Sequence, residues 1–242
     1  MLGFTFNGVH SSAFGVVHTV DRPGMPKAKT DFVSRKNVDG SDDFTASLKG
    51  KPLYEDRVFT VQLQVKTTNT KSAIAKWLMV PGWLSFDDEP DKYWMAKCYG
   101  GLSFVPKLYG RYVEYDIEFR VEPFAYGAPE TYSDGTLTLQ AGTYYSDYLV
   151  ITTQGTLSVH KNQNNGDMFG ISKAMDFEIT SSSVGTMVVD FHNHTIKDGN
   201  GNYPGRIEMN SDSEWIYLDD VTSTITVDGA DTDGIIYRKC YI

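Results

Sequence analysis

Four clusters of side chains have the types and spacing that chemistry requires. His192 and His194 stand two apart, with Asp190 before them. On one strand face three such groups can ligate a metal. The set lacks a fourth partner, and Met187, Val189 and Phe191 alternate with it, so a polar strand face opposite an apolar one is the simpler reading. Asp198, Asn200 and Asn202 have the 1-3-5 spacing of a calcium loop. The sixth position is Tyr203 where Gly is needed, and the twelfth is Met209 where a bidentate Glu is needed, which leaves a polar turn. Asp87, Asp88, Glu89 and Asp91 offer carboxylates for the paired acid and base of glycoside hydrolysis. An acidic turn containing Pro90 stays in water, where nothing raises a carboxyl pKa. Tyr144, Tyr145, Tyr148, Trp215 and Tyr217 could form a platform on which sugar rings stack, although packing is the commoner use of large rings in a β domain.

Other motifs are missing. There is no Walker A loop, and Gly199-Asn-Gly201 does not continue to a third Gly at the dinucleotide spacing. Gly170-Ile-Ser-Lys-Ala174 is a degenerate form of the G-x-S-x-G elbow with no helix expected after it. His160 lies beside a loop and reads as solvated, while His10 and His18 lie in the first strands with no partner evident. No catalytic, cofactor-binding or metal-binding residue is assigned, and no cofactor is expected.

The elements that would have to position any site are mostly strands. Phe4 and Phe6 share one face ahead of an Asn7-Gly8 turn, and Phe14–Val20 forms a second strand. Arg57–Val65 and Arg111–Val121 alternate cleanly between apolar and polar residues, so each buries one face. One helix is expected, capped by Asn69 or Thr70, carrying the stripe Ile74, Trp77 and Leu78, and ended by Pro81-Gly82. Leu84–Phe86 and Tyr93–Tyr99 read as a hairpin joined by a longer acidic loop, Asp87–Lys92.

Residues 127–134 read as a linker. Beyond it short strands recur between turns, as in a sandwich: Thr136–Leu139, Tyr148–Thr152, Thr156–Val159, Asp176–Thr180, Thr186–Phe191, Arg206–Met209, Trp215–Leu218, Thr224–Val227 and Ile235–Lys239.

Charge divides the 242-residue chain at the same place. Residues 1–127 hold 16 Lys/Arg and 15 Asp/Glu, and residues 128–242 hold 6 and 16. Such a break argues for two domains. The acidic half would repel a phosphate backbone, which argues against nucleic acid binding. No apolar run approaches the ~18 residues of a membrane span, and no signal-like segment opens the sequence. Cys98 and Cys240 cannot build a disulfide framework and read as free thiols of a reducing cytoplasm.

Several segments of the first half, taken in order, resemble the distal tail (Dit) proteins of long non-contractile-tailed bacteriophages. They are Phe4–Gly8 through Phe14-Gly15, the Val38-Asp-Gly40 turn, Tyr54–Arg57 entering a strand, and Trp77-Leu78 at the helix end. The most specific are Leu84–Ala96, with its acidic hairpin followed by aromatics, and Phe119–Tyr126. The resemblance implies a mainly β fold. A β-sandwich-like domain with one helix and a hairpin, residues 1–127, would form a ring. A linker, 128–134, and a galectin-like β-sandwich, 135–242, would follow.

It also implies a structural, non-enzymatic role in the virion, at the tail tip, after synthesis in the host cytoplasm. The family's hexameric ring joins the tail tube, with the tape-measure protein, to a tail-associated lysin, fibre or receptor-binding protein. A carbohydrate-binding module that recognises host cell-wall saccharide is the alternative. Physical reasoning is compatible with a ring: a head-to-tail interface needs two different patches per subunit, which a near-neutral first half of mixed sign can offer. The segments 22–35 and 87–92 are the candidate clasps.

Overall fold

Alternation at period two builds the first half. In Arg57–Val65 the side chains of Phe59, Val61, Leu63 and Val65 are buried, and in Tyr112–Val121 so are those of Val113, Tyr115, Ile117, Phe119 and Val121. The two strands run antiparallel in continuous register from Val113 opposite Val65 to Val121 opposite Arg57. Their buried residues therefore face one another in pairs, such as Phe119 with Phe59 and Ile117 with Val61, the unit by which sheets are stabilised. The structure, a computed structural model, describes residues 3–30, 32–33, 42–43, 53–66, 71–100, 103–107, 111–143, 146, 148–163, 174–181, 185–204, 207–218 and 222–241. The expected helix caps Asn69 and Thr70, most of the Val38–Asp42 turn, residues 170–173, Tyr144 and Tyr145 lie outside them.

The chain divides into two compact units, Met1–Tyr126 and Gly127–Tyr241. The first contains β1 (Phe4–Phe6), β2 (Val9–His10), β3 (Val16–Asp21), β4 (Phe32–Val33), β5 (Asp42–Asp43), β6 (Arg57–Val65), α1 (Lys71–Leu78), β7 (Gly82–Phe86), β8 (Glu89–Cys98), β9 (Ser103–Lys107), β10 (Tyr112–Val121) and β11 (Ala125–Tyr126). Its main sheet has the order β2-β1-β7-β8-β10-β6-β3, with β9 added beside the start of β10. The Asn7-Gly8 turn joins β1 to β2 with positive φ at both residues (49° and 75°), the geometry such tight hairpins require.

Helix α1 lays Ile74, Trp77 and Leu78 onto the core, as its stripe predicts, and stops short of Pro81. Trp77 holds it there. Its ring stacks on Phe4 (centroids 5.4 Å apart) and Phe14 (4.7 Å) and meets Phe6 edge-on, while Nε1 donates to the Phe6 carbonyl at 2.8 Å. A buried indole thus has its N–H satisfied by the strand it covers.

The second unit contains β12 (Glu130–Tyr132), β13 (Gly135–Gln140), β14 (Leu149–Lys161), β15 (Met175–Ser181), β16 (Thr186–Asp190), β17 (Thr195–Asp198), β18 (Ile207–Met209), β19 (Thr222–Tyr237) and β20 (Cys240–Tyr241). Its sheet order is β12-β19-β14-β15-β18, with β13 on β19 and β16 between β14 and β17. Leu139, Ile151, Leu157, Val159, Phe177, Ile179, Val189, Phe191, Ile225, Val227 and Ile235 are among its buried core. The chain is thus mostly β, with two large antiparallel sheets and one α-helix among the described residues.

Four sequence-based boundaries change. Residues 130–132, inside the segment read as a linker, form β12 and pair with Ile235–Tyr237 of β19. Asp134, from the same segment, accepts from the backbone N–H groups of Gly229 (3.0 Å) and Ala230 (2.6 Å). Strands expected as two pairs are two long strands, β14 and β19, each bent rather than broken. Register slips between Ile151 and Ser158 of β14 accompany positive φ at Gly155 and Gly229, so the breaks expected between these strands are bulges. Trp215–Leu218 is not a strand; among the described residues its one ladder contact is the bridge from Leu218 to Ser146. The hairpin loop is also shorter than its acidity suggests. Phe86 pairs with Glu89, so only Asp87 and Asp88 turn, and Pro90, Asp91 and Lys92 belong to β8.

Candidate functional site

The two candidate clasps of the first unit meet each other. Arg22 follows directly after β3, and Asp88 and Glu89 stand at the tip of the β7–β8 hairpin. The Arg22 guanidinium pairs with the Asp88 carboxylate and donates to Glu89 Oε2 at 3.0 Å, with its carbon 4.4 Å from the centre of the Phe86 ring. Lys92 Nζ takes the other Glu89 oxygen at 2.7 Å. Asp87, on the outer side of the tip, faces His10 Nε2 at 3.2 Å, and His10 Nδ1 lies 2.7 Å from the Ser12 hydroxyl. One tip is thereby tied to β2 on one side and to the segment after β3 on the other. Of the segment 22–35, residues 31, 34 and 35 lie outside the described residues.

This geometry bears on the acid–base reading. Asp88, Glu89 and Asp87 each have a cationic or imidazole partner, and Asp87 and Asp88 are more than two-fifths exposed. Neither is buried among apolar groups, the setting that would hold a carboxyl protonated for general acid work. The tip is built as a charged, cross-tied surface feature. Such pairs contribute modestly to stability when exposed, but here they tie the hairpin tip to its neighbours on both sides.

Beneath the tip is a cavity of about 220 Å³, lined by Arg22, Pro23, Arg57, Phe59, Glu89, Lys92 and Trp94 among others. Arg57 comes from β6 and Trp94 from β8, and Phe59 lies between them: its ring is 5.2 Å from the Arg57 guanidinium carbon and 5.5 Å from the Trp94 ring. Arg57 donates from Nη1 to the Pro23 carbonyl at 3.1 Å. Burial pushes its guanidinium below the ordinary value, with Glu89 opposing and Arg22 adding to the effect.

In the second unit the candidate residues are spent on structure. His192 and His194 lie in the turn after β16, not on a strand, and His194 has a φ of 52°. Its ring stacks on Trp215 at 5.0 Å, while His192 lies beside Tyr148 at 5.6 Å, so the two imidazoles are drawn to different aromatic neighbours. Asp190 accepts from the backbone and side-chain N–H groups of Asn193 (3.0 and 2.7 Å), closing the turn. The Asp198 carboxylate likewise accepts from the backbone N–H groups of Asn200 (2.9 Å) and Asn202 (2.8 Å), a side-chain-to-backbone turn of the kind Asp favours.

Of the aromatic set, Trp215 packs on Phe177 and Phe191, and Tyr217 packs against the core beside the fully buried Lys161, whose Nζ lies 4.7 Å from its ring centre. Both rings are half-buried against the core. The remaining histidines find partners that sequence spacing could not show. His18 Nε2 lies 2.7 Å from Gln64 Oε1 across β3 and β6, and His160 pairs with Asp176 across β14 and β15. The Asp176 hydrogen bond raises the His160 pKa, with slight burial opposing it. Tyr132 donates to Glu130 at 2.6 Å, a bond that pushes the phenol up to about 12 and draws the carboxyl down.

Comparison with known proteins agrees with the resemblance read from the sequence. Residues 7–121 match the family model described as the phage tail protein RIFT-related domain. Among solved structures, the chain is similar to the Dit protein of SPP1, described as a paradigm of the hub adsorption apparatus of phages infecting Gram-positive bacteria. The TM-score is 0.67 at 13% identity, over all of both chains. A chain of the phage P2 baseplate in its activated conformation with calcium gives 0.55 at 6% identity, covering all of this chain and 98% of that one. The corresponding strontium form gives 0.56 at 5%. No curated protein matches the chain in sequence. At these identities the structural likenesses speak for the fold, and they cover the full length of the chain.

Proposed function

We infer that this chain, which carries a phage tail protein RIFT-related domain, is a structural hub protein of a long-tailed phage and works by assembly rather than by turnover. The observation that carries the reading is coverage. The family model accounts for most of the first unit, and the likeness to a solved Dit protein covers the whole length of the chain.

On this reading the first unit forms a hexameric ring at the tail tip. It meets the tail tube and tape-measure protein on one side and a tail-associated lysin, fibre or receptor-binding protein on the other. The protein is made in the host cytoplasm and ends in the virion. A ring subunit must offer two unlike surfaces to its neighbours. The near balance of 16 basic and 15 acidic residues in residues 1–127 supports such contacts. Residues 128–242, with 16 acids against 6 bases, would repel copies of themselves, which favours a second unit held outward in solvent. The cross-tied, charged β7–β8 tip is the candidate contact for a neighbour.

Two measurements test the proposal. Light scattering with negative-stain microscopy of the purified chain, alone and with tail extracts, is expected to give six-fold rings. Antibody labelling of intact virions is expected to mark the tail tip. Label along the tail shaft, or virions that lack the protein, would overturn it. The carbohydrate-binding alternative is tested by a glycan array, on which an absence of binding would dispose of it.

A further inference from the structure

We propose that Ser12 is an activated nucleophile, a site of covalent acylation by reactive carboxylic esters, with His10 as its general base and Asp87 positioning the imidazole. The inference does not depend on the tail reading. It starts from three side chains in one hydrogen-bonded line. The Ser12 hydroxyl lies 2.7 Å from His10 Nδ1, and His10 Nε2 lies 3.2 and 3.3 Å from the two oxygens of Asp87. A nucleophile, a base within hydrogen-bond reach and a third group that orients the base form the arrangement that activates a weak hydroxyl. Such a constellation is recognised by geometry and roles, not by sequence position.

The protons are placed for it. The backbone N–H of Ser12 also donates to His10 Nδ1, at 3.2 Å. A ring nitrogen that accepts from a backbone N–H carries no proton, so in the neutral ring the proton sits on Nε2. There it faces Asp87, and an ionised carboxylate can only accept. Nδ1 keeps its lone pair toward the Ser12 hydroxyl and can take its proton.

The backbone holds all three parts. Ser12 is the middle residue of a single 3₁₀ turn, Ser11–Ala13, directly after β2. The buried Ser11 anchors that turn. Its hydroxyl accepts from the Phe4 N–H at 3.2 Å, and its carbonyl accepts from the N–H groups of Phe14 (3.0 Å) and Gly15 (3.1 Å). Asp87 is fixed from the other side: its N–H donates to the Gly3 carbonyl at 3.1 Å, next to the pairing of β1 with β7. A side chain at Gly3 would collide with the Asp87 carboxylate and His10 Nε2, so a glycine there lets the pair close. Ser12 itself is exposed, and a reagent can reach its hydroxyl.

In the step itself, Ser12 Oγ attacks the ester carbonyl carbon as its proton passes to His10 Nδ1. The bond from that carbon to the alcohol oxygen breaks, and the proton leaves with the alcohol. The products are acyl-Ser12, the free alcohol and a neutral His10.

The test treats the full chain with p-nitrophenyl acetate and, separately, with an alkyl fluorophosphonate. The second reagent marks activated serines by a like displacement at phosphorus, with fluoride leaving. Peptide mass spectrometry locates the adducts. The expected result is one dominant serine adduct, at Ser12, with each reagent. Its rate should fall by about tenfold or more in His10→Gln and in the urea-unfolded chain, where Asp87 no longer meets His10. If His10→Gln fails to fold, the urea comparison decides. Asp87→Asn should slow the labelling and Asp87→Glu should restore part of the rate, which identifies the carboxylate as the positioning group. Nitrogen-15 spectra of the neutral His10 ring should place its proton on Nε2. Labelling spread evenly over the exposed serines overturns the proposal. So does a Ser12 adduct that forms as fast in urea as in the folded chain, or a neutral His10 ring with its proton on Nδ1.

Discussion

Replacing Trp77 tests whether one ring docks helix α1 onto the first sheet. The ring stacks on Phe4 and Phe14, meets Phe6 edge-on and donates to the Phe6 carbonyl at 2.8 Å. A buried Trp removes about 200 Å² from water, and at about 25 cal/mol per Å² that is a gross gain of about 5 kcal/mol. Partial collapse of the site after truncation lowers the observable cost, so Trp77→Ala is expected to destabilise the first unit by about 3–5 kcal/mol. Trp77→Phe keeps an aromatic face for Phe4 and Phe14 but removes the donor. It should cost about 1–3 kcal/mol, from the unmet Phe6 carbonyl and the lost ring volume. The assay is urea unfolding followed by near-ultraviolet circular dichroism, with hydrogen exchange over residues 4–10 and 71–86 to localise the loss. With a slope of about 2 kcal/mol per M, the Ala variant should lower the midpoint by about 2 M. A Trp77→Ala cost no larger than that of Trp77→Phe, or under about 1 kcal/mol for both, would refute the reasoning.

Further predictions concern the second unit and the thiol. Gly229 sits at a φ of 96° with the Thr156 carbonyl where a side chain would begin. Gly229→Ala should therefore cost about 1–3 kcal/mol in thermal unfolding, while Gly135→Ala, also at positive φ but facing open space, should cost less. The raised His160 pKa means that the folded chain holds the imidazole proton more tightly. Its stabilisation is complete below the ordinary histidine value of about 6.5 and fades as pH rises through the higher folded value. Both partners are more than two-fifths exposed, so the effect is small. A pH series of melting temperatures should show a slight alkaline loss that disappears in His160→Gln. Burial, with Glu118 adding to it, pushes the Cys98 thiol up. Its alkylation near pH 8 should run slower than that of the urea-unfolded chain, and Glu118→Gln should partly restore the rate.

How legible each part was depends on how local its cause is. The faces of β6 and β10 could be read residue by residue, because alternation is a property of neighbours in sequence. The stripe of α1 and the Asn7-Gly8 turn were legible for the same reason. The segments 153–155 and 228–234 fall between expected strands, because a glycine at positive φ looks the same in a turn and in a bulge. What decides is whether a partner strand continues past it, and β14 and β19 do so for each other. Residues 130–132 sit in a Gly-, Pro- and Ser-containing stretch that reads as a linker; their pairing with β19 comes from residues more than a hundred positions away.

The chain by itself determined that it is mainly β, that its charge divides near residue 127, and that its first half follows the pattern of a phage tail domain. These rest on composition and short-range order, which need no third dimension. Only the tertiary structure decided which charges meet. Arg22 and Glu89 lie 67 positions apart and are joined at 3.0 Å. Arg57 and Trp94 share a cavity that no spacing announces. Hydrogen bonds and charge pairs act over a few ångströms, and folding brings together groups whose separation along the chain says nothing of their separation in space.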